Sequence, residues 1–302
     1  MPPVIFTLTG NLLAERTLTF DTWRPGQTQR AREACFNTRG KGVNVTKMLA
    51  RLGTGSIALI FSGGAPGAES EAWLRERGLA YRAFATLRPT RTGTVIQGGT
   101  QPETTFLGPD VVPDPAAVQA CAEFLDQQAA GQVLALAGSF PGWSESGFAP
   151  VHQAILRWLE RGRLLADVYG PPLSWLAGHP VELIKINRTE FDGLFSPEEC
   201  RQSVPDRLRH LRATRPVRNW VVSDGPGSLW VMLPDGAPTE FTPPKVRELS
   251  ATGSGDVLFA GIIHAWCVQH RPLPDAVAFA LPLAAANAAH PGVADFELPP
   301  LK

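Results

Sequence analysis

Along most of this chain, short apolar runs of strand chemistry alternate with longer stretches whose apolar positions recur at helical spacing. The runs at 4–8, 57–61, 133–136, 164–167, 182–186 and 220–223 are predicted strands. The stretches at 43–52, 69–77, 147–160, 205–212, 255–268 and 276–289 are predicted helices. Repeated strand-then-helix order predicts an α/β fold, with a mostly parallel central sheet and helices on both faces. In such sheets ligands bind beyond the carboxyl ends of the strands. Gly138, Ser139, Asp167, Lys185, Asn187, Ser223, Asp224 and Gly225 all fall at those ends. Two stretches, 16–36 and 92–107, are extended, threonine-rich and without helical period. Thr17-Leu18-Thr19-Phe20 and Thr94-Val95-Ile96-Gln97 have strand chemistry. They predict a small β-layer standing off the main sheet, as a lid over the site or a dimer surface.

Composition narrows the class. The chain has 302 residues, 44% hydrophobic and 19% charged, as expected of one large globular domain with an excursion. Lys+Arg and Asp+Glu are each 28, so there is no basic footprint for nucleic acid or anionic lipid. Cys35, Cys121, Cys200 and Cys267 are far apart and show no metal spacing, so free thiols are expected. The six histidines show no metal spacing either, and the charged run 198–218 reads as a solvated helical face. The start lacks the basic and long apolar regions of a secretory signal, and no window is apolar enough to span a membrane. A cytoplasmic protein is expected.

Three segments carry candidate chemistry. In Thr252-Gly253-Ser254-Gly255-Asp256, small residues permit a tight turn with exposed amides, and a helix follows at once. A helix start can hold a phosphate, and a carboxylate beside it can take a proton from an attacking hydroxyl. The bland alternative is an ordinary helix cap. In Arg39-Gly40-Lys41-Gly42-Val43-Asn44, glycines admit a ligand close to the backbone, and Asn44 can both donate and accept. The spacing is not that of a Walker A loop, and a solvated lysine in a glycine turn fits as well. In Lys185-Ile186-Asn187-Arg188-Thr189-Glu190, Asn187 and Glu190 lie one turn apart. They suit either a hydrated magnesium ion or a capping box.

Taken in order, these segments, with Gly138-Ser139-Phe140-Pro141 and Ser223-Asp224-Gly225-Pro226-Gly227 between them, resemble the ribokinase-like (PfkB) family of carbohydrate kinases. The resemblance runs from Thr7 to about Asn287. Thr7-Leu8-Thr9 and Thr90-Arg91-Thr92-Gly93 are similar to its sugar-phosphate branch, which includes 1-phosphofructokinase, the minor 6-phosphofructokinase and tagatose-6-phosphate kinase. The resemblance implies one ribokinase-like domain over 1–302, a three-layer α/β/α fold with lid strands from about 10–38 and 88–110. It implies ATP and Mg2+, with Asp256 as base and an anion hole at Gly253, Ser254 and Gly255. Lys185 and Asn187 would handle the ATP phosphates, and Glu190 the magnesium through water. Ser223, Gly225 and Gly227 would line the nucleotide side, with Asn287 near the adenine. Glu15, Gly40, Lys41, Asn44 and Ser139 would hold the sugar. Arg91, with Lys41, would bind the phosphate already on it. A homodimer through the lid is expected from family behaviour.

The chain departs from the family pattern at the sugar end. Glu15 stands where the branch has aspartate, Arg39 where it has glycine, and Gly93 where it has asparagine. At the phosphoryl-transfer end, Ser254 for alanine and Ile186 for proline are small changes. The sugar-side departures leave two alternatives open: a kinase for an unphosphorylated sugar or nucleoside, and a non-catalytic homologue that binds nucleotide or sugar phosphate.

Overall fold

The computed structural model describes residues 2–98 and 103–300. Part of the predicted lid stretch, 99–102, and the last two residues of the tail lie outside the described residues. In chain order the first elements are β1 (Ile5–Thr9), β2 (Leu13–Thr19), β3 (Glu33–Arg39), α1 (Lys41–Arg51), β4 (Ser56–Ser62), α2 (Gly64–Glu76) and β5 (Tyr81–Ala85). Then come β6 (Arg91–Gln97), β7 (Thr104–Leu107), α3 (Pro115–Asp126), β8 (Val133–Gly138), α4 (Ala149–Leu159), β9 (Arg163–Val168) and α5 (Pro171–Leu176). The rest are β10 (Leu183–Asn187), α6 (Arg188–Asp192), α7 (Val204–Thr214), β11 (Trp220–Ser223), β12 (Leu229–Met232), β13 (Thr239–Phe241), α8 (Ser254–Ile262) and α9 (Leu273–Ala288).

The central sheet runs β13-β12-β11-β10-β9-β8-β1-β4-β5, parallel except where β12 and β13 turn back. Its strands read as continuous apolar runs because both faces are covered; Val133–Gly138 is buried at every position. Successive side chains go to opposite faces. Phe6, Leu134, Leu164 and Ile184 pack against α3, α4 and α7. Ile5, Val133, Leu165 and Leu183 pack against α1, α8 and α9. The result is the expected three-layer α/β/α arrangement. Consecutive strands leave β1 in both directions, to β4 on one side and β8 on the other, so a crevice opens at their carboxyl ends.

The predicted β-layer is a separate sheet, β3-β2-β6-β7, with β2 antiparallel to β3 and parallel to β6. The short elements β5, β12, β13 and α5, and the twelve-residue helix α3, have no counterpart in the expected pattern. The helix expected at 255–268 is α-helical only to Ile262 and continues as a π-helical turn, Ile263–Val268, in which the Gln269 amide donates to His264 O at 3.0 Å. Cys35, Cys121, Cys200 and Cys267 are free thiols, as expected. The run at 198–218 is not wholly a solvated face. Arg207 is fully buried, ion-paired to Asp192 and set over the rings of Phe191 and Phe195. Its long stem and planar head fit an apolar site that a shorter cation would leave empty. Among the described residues, no helix is long and apolar enough to cross a membrane.

Candidate active site

A cleft of about 1090 Å³ lies between the small sheet and the carboxyl ends of the central strands. Its catalytic end is built on α8. Gly253 precedes that helix in the left-handed region, at φ 77°, and a Cβ there would lie 2.3 Å from Val293 Cγ1. Only glycine permits this turn. The Ser254 amide is consumed inside it, donating to Ala251 O at 3.2 Å. The next amides, of Gly255 and Asp256, stand at the positive end of the helix. A Cβ on Gly255 would lie 2.9 Å from Lys185 Nζ, so this glycine keeps the ammonium against the helix start. Gly253→Ala is expected to destabilise the fold by about 2–5 kcal/mol, from left-handed strain and overpacking. It should also lower kcat; urea unfolding with steady-state kinetics checks both.

Asp256 is buried in the first turn of α8 and faces the cleft. Its Oδ2 accepts from Asn44 Nδ2 at 2.7 Å. Burial raises its carboxyl to about 6, aided by nearby Asp167 and opposed by Lys41, Asn44 and Lys185. Asn44 Oδ1 is buried beside it without a partner, an acceptor ready for a hydroxyl.

Asp167, at the end of β9, is the centre of a buried ion cluster. Its Oδ2 accepts from Lys185 Nζ at 2.7 Å and its Oδ1 from Lys41 Nζ at 2.9 Å. Burial alone would raise its carboxyl, but the two ammonium groups outweigh burial and hold it low. Lys41 also lies 3.4 Å from Glu190 Oε1. Burial opposes its charge, yet Asp167, Asp256 and Glu190 raise its ammonium above the ordinary lysine value. Lys41 therefore stands among Asp167, Glu190 and Asp256 at the start of α8. Its side chain passes over Gly138, where no Cβ intervenes, and the strand-end carboxylate draws it in.

Asn187 and Glu190 form a complete capping box: Asn187 accepts from the Glu190 amide and Glu190 Oε2 from the Asn187 amide, each at 2.9 Å. Both Glu190 oxygens are thus engaged, one by the cap and one near Lys41. Among the described residues there is no group of three His, Cys, Asp or Glu that could hold a metal ion. The set fits only a magnesium ion that keeps most of its waters and rides on nucleotide phosphates.

Ser223, Gly225 and Pro226 also border the cleft, with an apolar wall from Leu281, Ala284, Ala285 and Ala288 of α9. Gly227 is set back, its amide closing a turn onto Asp224 O at 2.9 Å. Asn287 does not reach the cleft. It is fully buried, donating to Thr252 O at 2.9 Å and Ser254 Oγ at 3.1 Å and accepting from the Ala294 amide at 2.8 Å. Its amide locks the turn before α8, a task only a residue on the inner face of α9 can perform. Leu281, Ala284, Ala285 and Ala288 recur at helical spacing and so fall on one face of α9.

At the lid end, Glu15, Gly40 and Arg91 border the cleft. Glu15 is not open to a ligand as a free carboxylate: its Oε1 accepts from Arg39 Nε at 3.1 Å and Thr17 Oγ1 at 3.2 Å. Ser139 stands behind the cleft. It accepts from Asn11 Nδ2 at 3.0 Å; Asn11 also donates to Asp110 Oδ1 at 2.8 Å, and the same oxygen accepts from Arg91 Nη1 at 2.8 Å. Ser139 thus supports Arg91 through Asn11 and Asp110.

A doubly covered parallel sheet, a lid sheet, a carboxylate at a glycine-built helix start and lysines beside it together define a small-molecule kinase. The chain belongs to the pfkB family of carbohydrate kinases, whose profile, described as pfkB family carbohydrate kinase, matches residues 13–299. Membership implies ATP as the phosphoryl donor. The chain is 29% identical over 264 residues to 1-phosphofructokinase of Xanthomonas campestris pv. campestris, covering 85% of this chain and 82% of that one. Its fold is shared with phosphofructokinase-2 from Escherichia coli, solved in complex with fructose-6-phosphate (TM-score 0.83, 20% identity, 95% of this chain and 94% of that one). Ribokinase from Thermotoga maritima also shares it (TM-score 0.69, 18% identity, 97% and 95% covered), which bears out the ribokinase-like architecture.

Proposed function

We propose that the protein transfers a phosphoryl group from ATP to a hydroxyl of a sugar phosphate of the fructose or tagatose type, with Asp256 as the base. The observation that carries this reading is the meeting of Asp256, Asn44, Lys41 and Lys185 at one end of a cleft whose other end holds Arg91. Asn44 accepts from the sugar and orients it. Asp256 takes the proton as the hydroxyl attacks. The amides of Gly255 and Asp256, with Lys185 and Lys41, balance the charge on the transferring group. Glu190 would hold Mg2+ through water, and the ion would supply neutralisation of the charge on the nucleotide phosphates. Arg91 suits the acceptor's existing phosphate because its fork meets phosphate bidentately. The relatives' activity on sugar phosphates supports the same reading. We place the protein in the cytoplasm, as one domain. A homodimer through the lid sheet fits its exposed Phe106.

The test is a coupled assay with ATP and magnesium across fructose 1-phosphate, fructose 6-phosphate, tagatose 6-phosphate and unphosphorylated sugars. Turnover confined to unphosphorylated acceptors would overturn the reading. The same assay run against pH should show kcat/KM falling tenfold per unit below about pH 6, where Asp256 of the free protein becomes protonated and cannot accept. A flat profile between pH 5 and 7 (values on the order of the Asp256 transition) would remove Asp256 as base.

A further inference from the structure

The structure assigns the second cation of the acceptor-phosphate site to Arg39, which with Arg91 forms a two-arginine clamp; this rests on the sugar-phosphate reading above. Lys41, the other cation of the glycine loop, is committed to Asp167 and Glu190. Arg39 and Arg91 end the two strands that flank β2, and both sit directly opposite Leu13 in the register. Residues in one cross-strand row share a face, here two strand spacings, about 10 Å, apart. Both border the cleft, as does Leu13 between them.

Each guanidinium is held by one nitrogen only. Glu15 engages Nε of Arg39, and Asp110 engages Nη1 of Arg91. Arg39 Nη1 and Arg91 Nε are buried without an acceptor. Buried donors left without partners are uncommon, and here two of them belong to cations on one face of one sheet. A carboxylate that grips one corner of a guanidinium fixes its plane and leaves the remaining N–H groups for an anion with several oxygens. Gly93 lies opposite Glu15 in the next row of the same face, and adds no side chain beside Leu13, which stands between the arginines. Glu15 and Arg39 are therefore one unit: the carboxylate orients the arginine, and the arginine reads the phosphate.

The test is steady-state kinetics of Arg39→Ala, Arg39→Lys, Glu15→Gln and Arg91→Ala, with the sugar phosphate that the wild-type protein uses. Arg39→Ala should raise the acceptor KM by about 10- to 100-fold, the weight of a lost hydrogen bond to a charged group, with kcat and the ATP KM little changed. Arg39→Lys should restore part of the loss. Inorganic phosphate should compete with the acceptor in the wild type and more weakly in Arg39→Ala. Equal effects of Arg39→Ala and Glu15→Gln on kcat and both KM values would make Arg39 a strut for the lid and overturn the clamp. So would an unchanged acceptor KM in Arg39→Ala where Arg91→Ala raises it. A wild-type protein that turns over no sugar phosphate would overturn the parent reading, and the clamp with it.

Discussion

Asp256→Asn is expected to lower kcat by about 10²–10⁴-fold, the usual weight of a general base, while both KM values stay close to those of the wild type. Asparagine keeps the shape of the side chain and one acceptor for Asn44, which now donates to Asp256 Oδ2 at 2.7 Å. The variant should fold at least as well as the parent. In the folded protein the Asp256 carboxyl is raised from 3.8 to about 6. The folded state then binds more protons than the unfolded state between those values, so this group's contribution to stability falls as pH rises through that window. Above about pH 6 the ionised, buried carboxylate disfavours the fold, and asparagine removes that penalty. Thermal melts at pH 7.5 (about 1.5 units above the transition) should show Asp256→Asn equal to or above the wild type. A variant with wild-type kcat would show that the base lies elsewhere.

Asp167→Ala should have the largest effect on stability, about 3–5 kcal/mol, because it leaves two ammonium groups close together without their shared counter-charge. The carboxylate is completely buried, and the Lys185 side chain is only 3% exposed. Lys185 has no water to replace the lost partner, whereas Lys41 is partly exposed and keeps Glu190 at 3.4 Å. Lys185 also sits against Gly255 at the helix start, so its displacement disturbs the anion site as well as the core. Urea unfolding of Asp167→Ala beside a surface control such as Glu240→Ala measures the effect. A midpoint shift no larger than the control's, itself within about 0.5 kcal/mol, would mean that the cluster is not what holds this end of the sheet.

The strand-helix alternation was legible because doubly covered strands are continuous apolar runs, and the lid because 16–36 and 92–107 lack helical period. The short edge elements were not, since four- or five-residue segments such as Leu229–Met232 carry too little pattern. Asp256 was legible through its loop, as small residues before an apolar helix have few explanations. The pairing of Lys41 with Asp167 was not legible, because that carboxylate lies 126 positions away, which no local spacing reveals. Glu15 and Arg39 read as two independent oddities of the sugar end. The β2–β3 register makes them neighbours, so one substitution accounts for the other. Asn287 was recognisable as a polar residue in an alanine-rich helix, but only packing shows that it points inward to the turn.

The site joins residues from distant parts of the chain: Asn44 and Asp256 are 212 positions apart, and Lys47 donates to Val293 O across 246. Arg51 adds hydrogen bonds to the carbonyls of Ala294 and Phe296, and Val293 backs the glycine that begins the catalytic helix. Synthesis proceeds from the N-terminus at about 5–20 residues per second. The acceptor side of the cleft is therefore made well before the groups that perform transfer. A nascent chain can form its central strands and lid and still be inert, because its catalytic turn has no backing until 293–296 arrives. With Asp256 as the proposed base, the order of assembly would itself withhold phosphoryl transfer until residues 293–296 are made, without any inhibitor to enforce it.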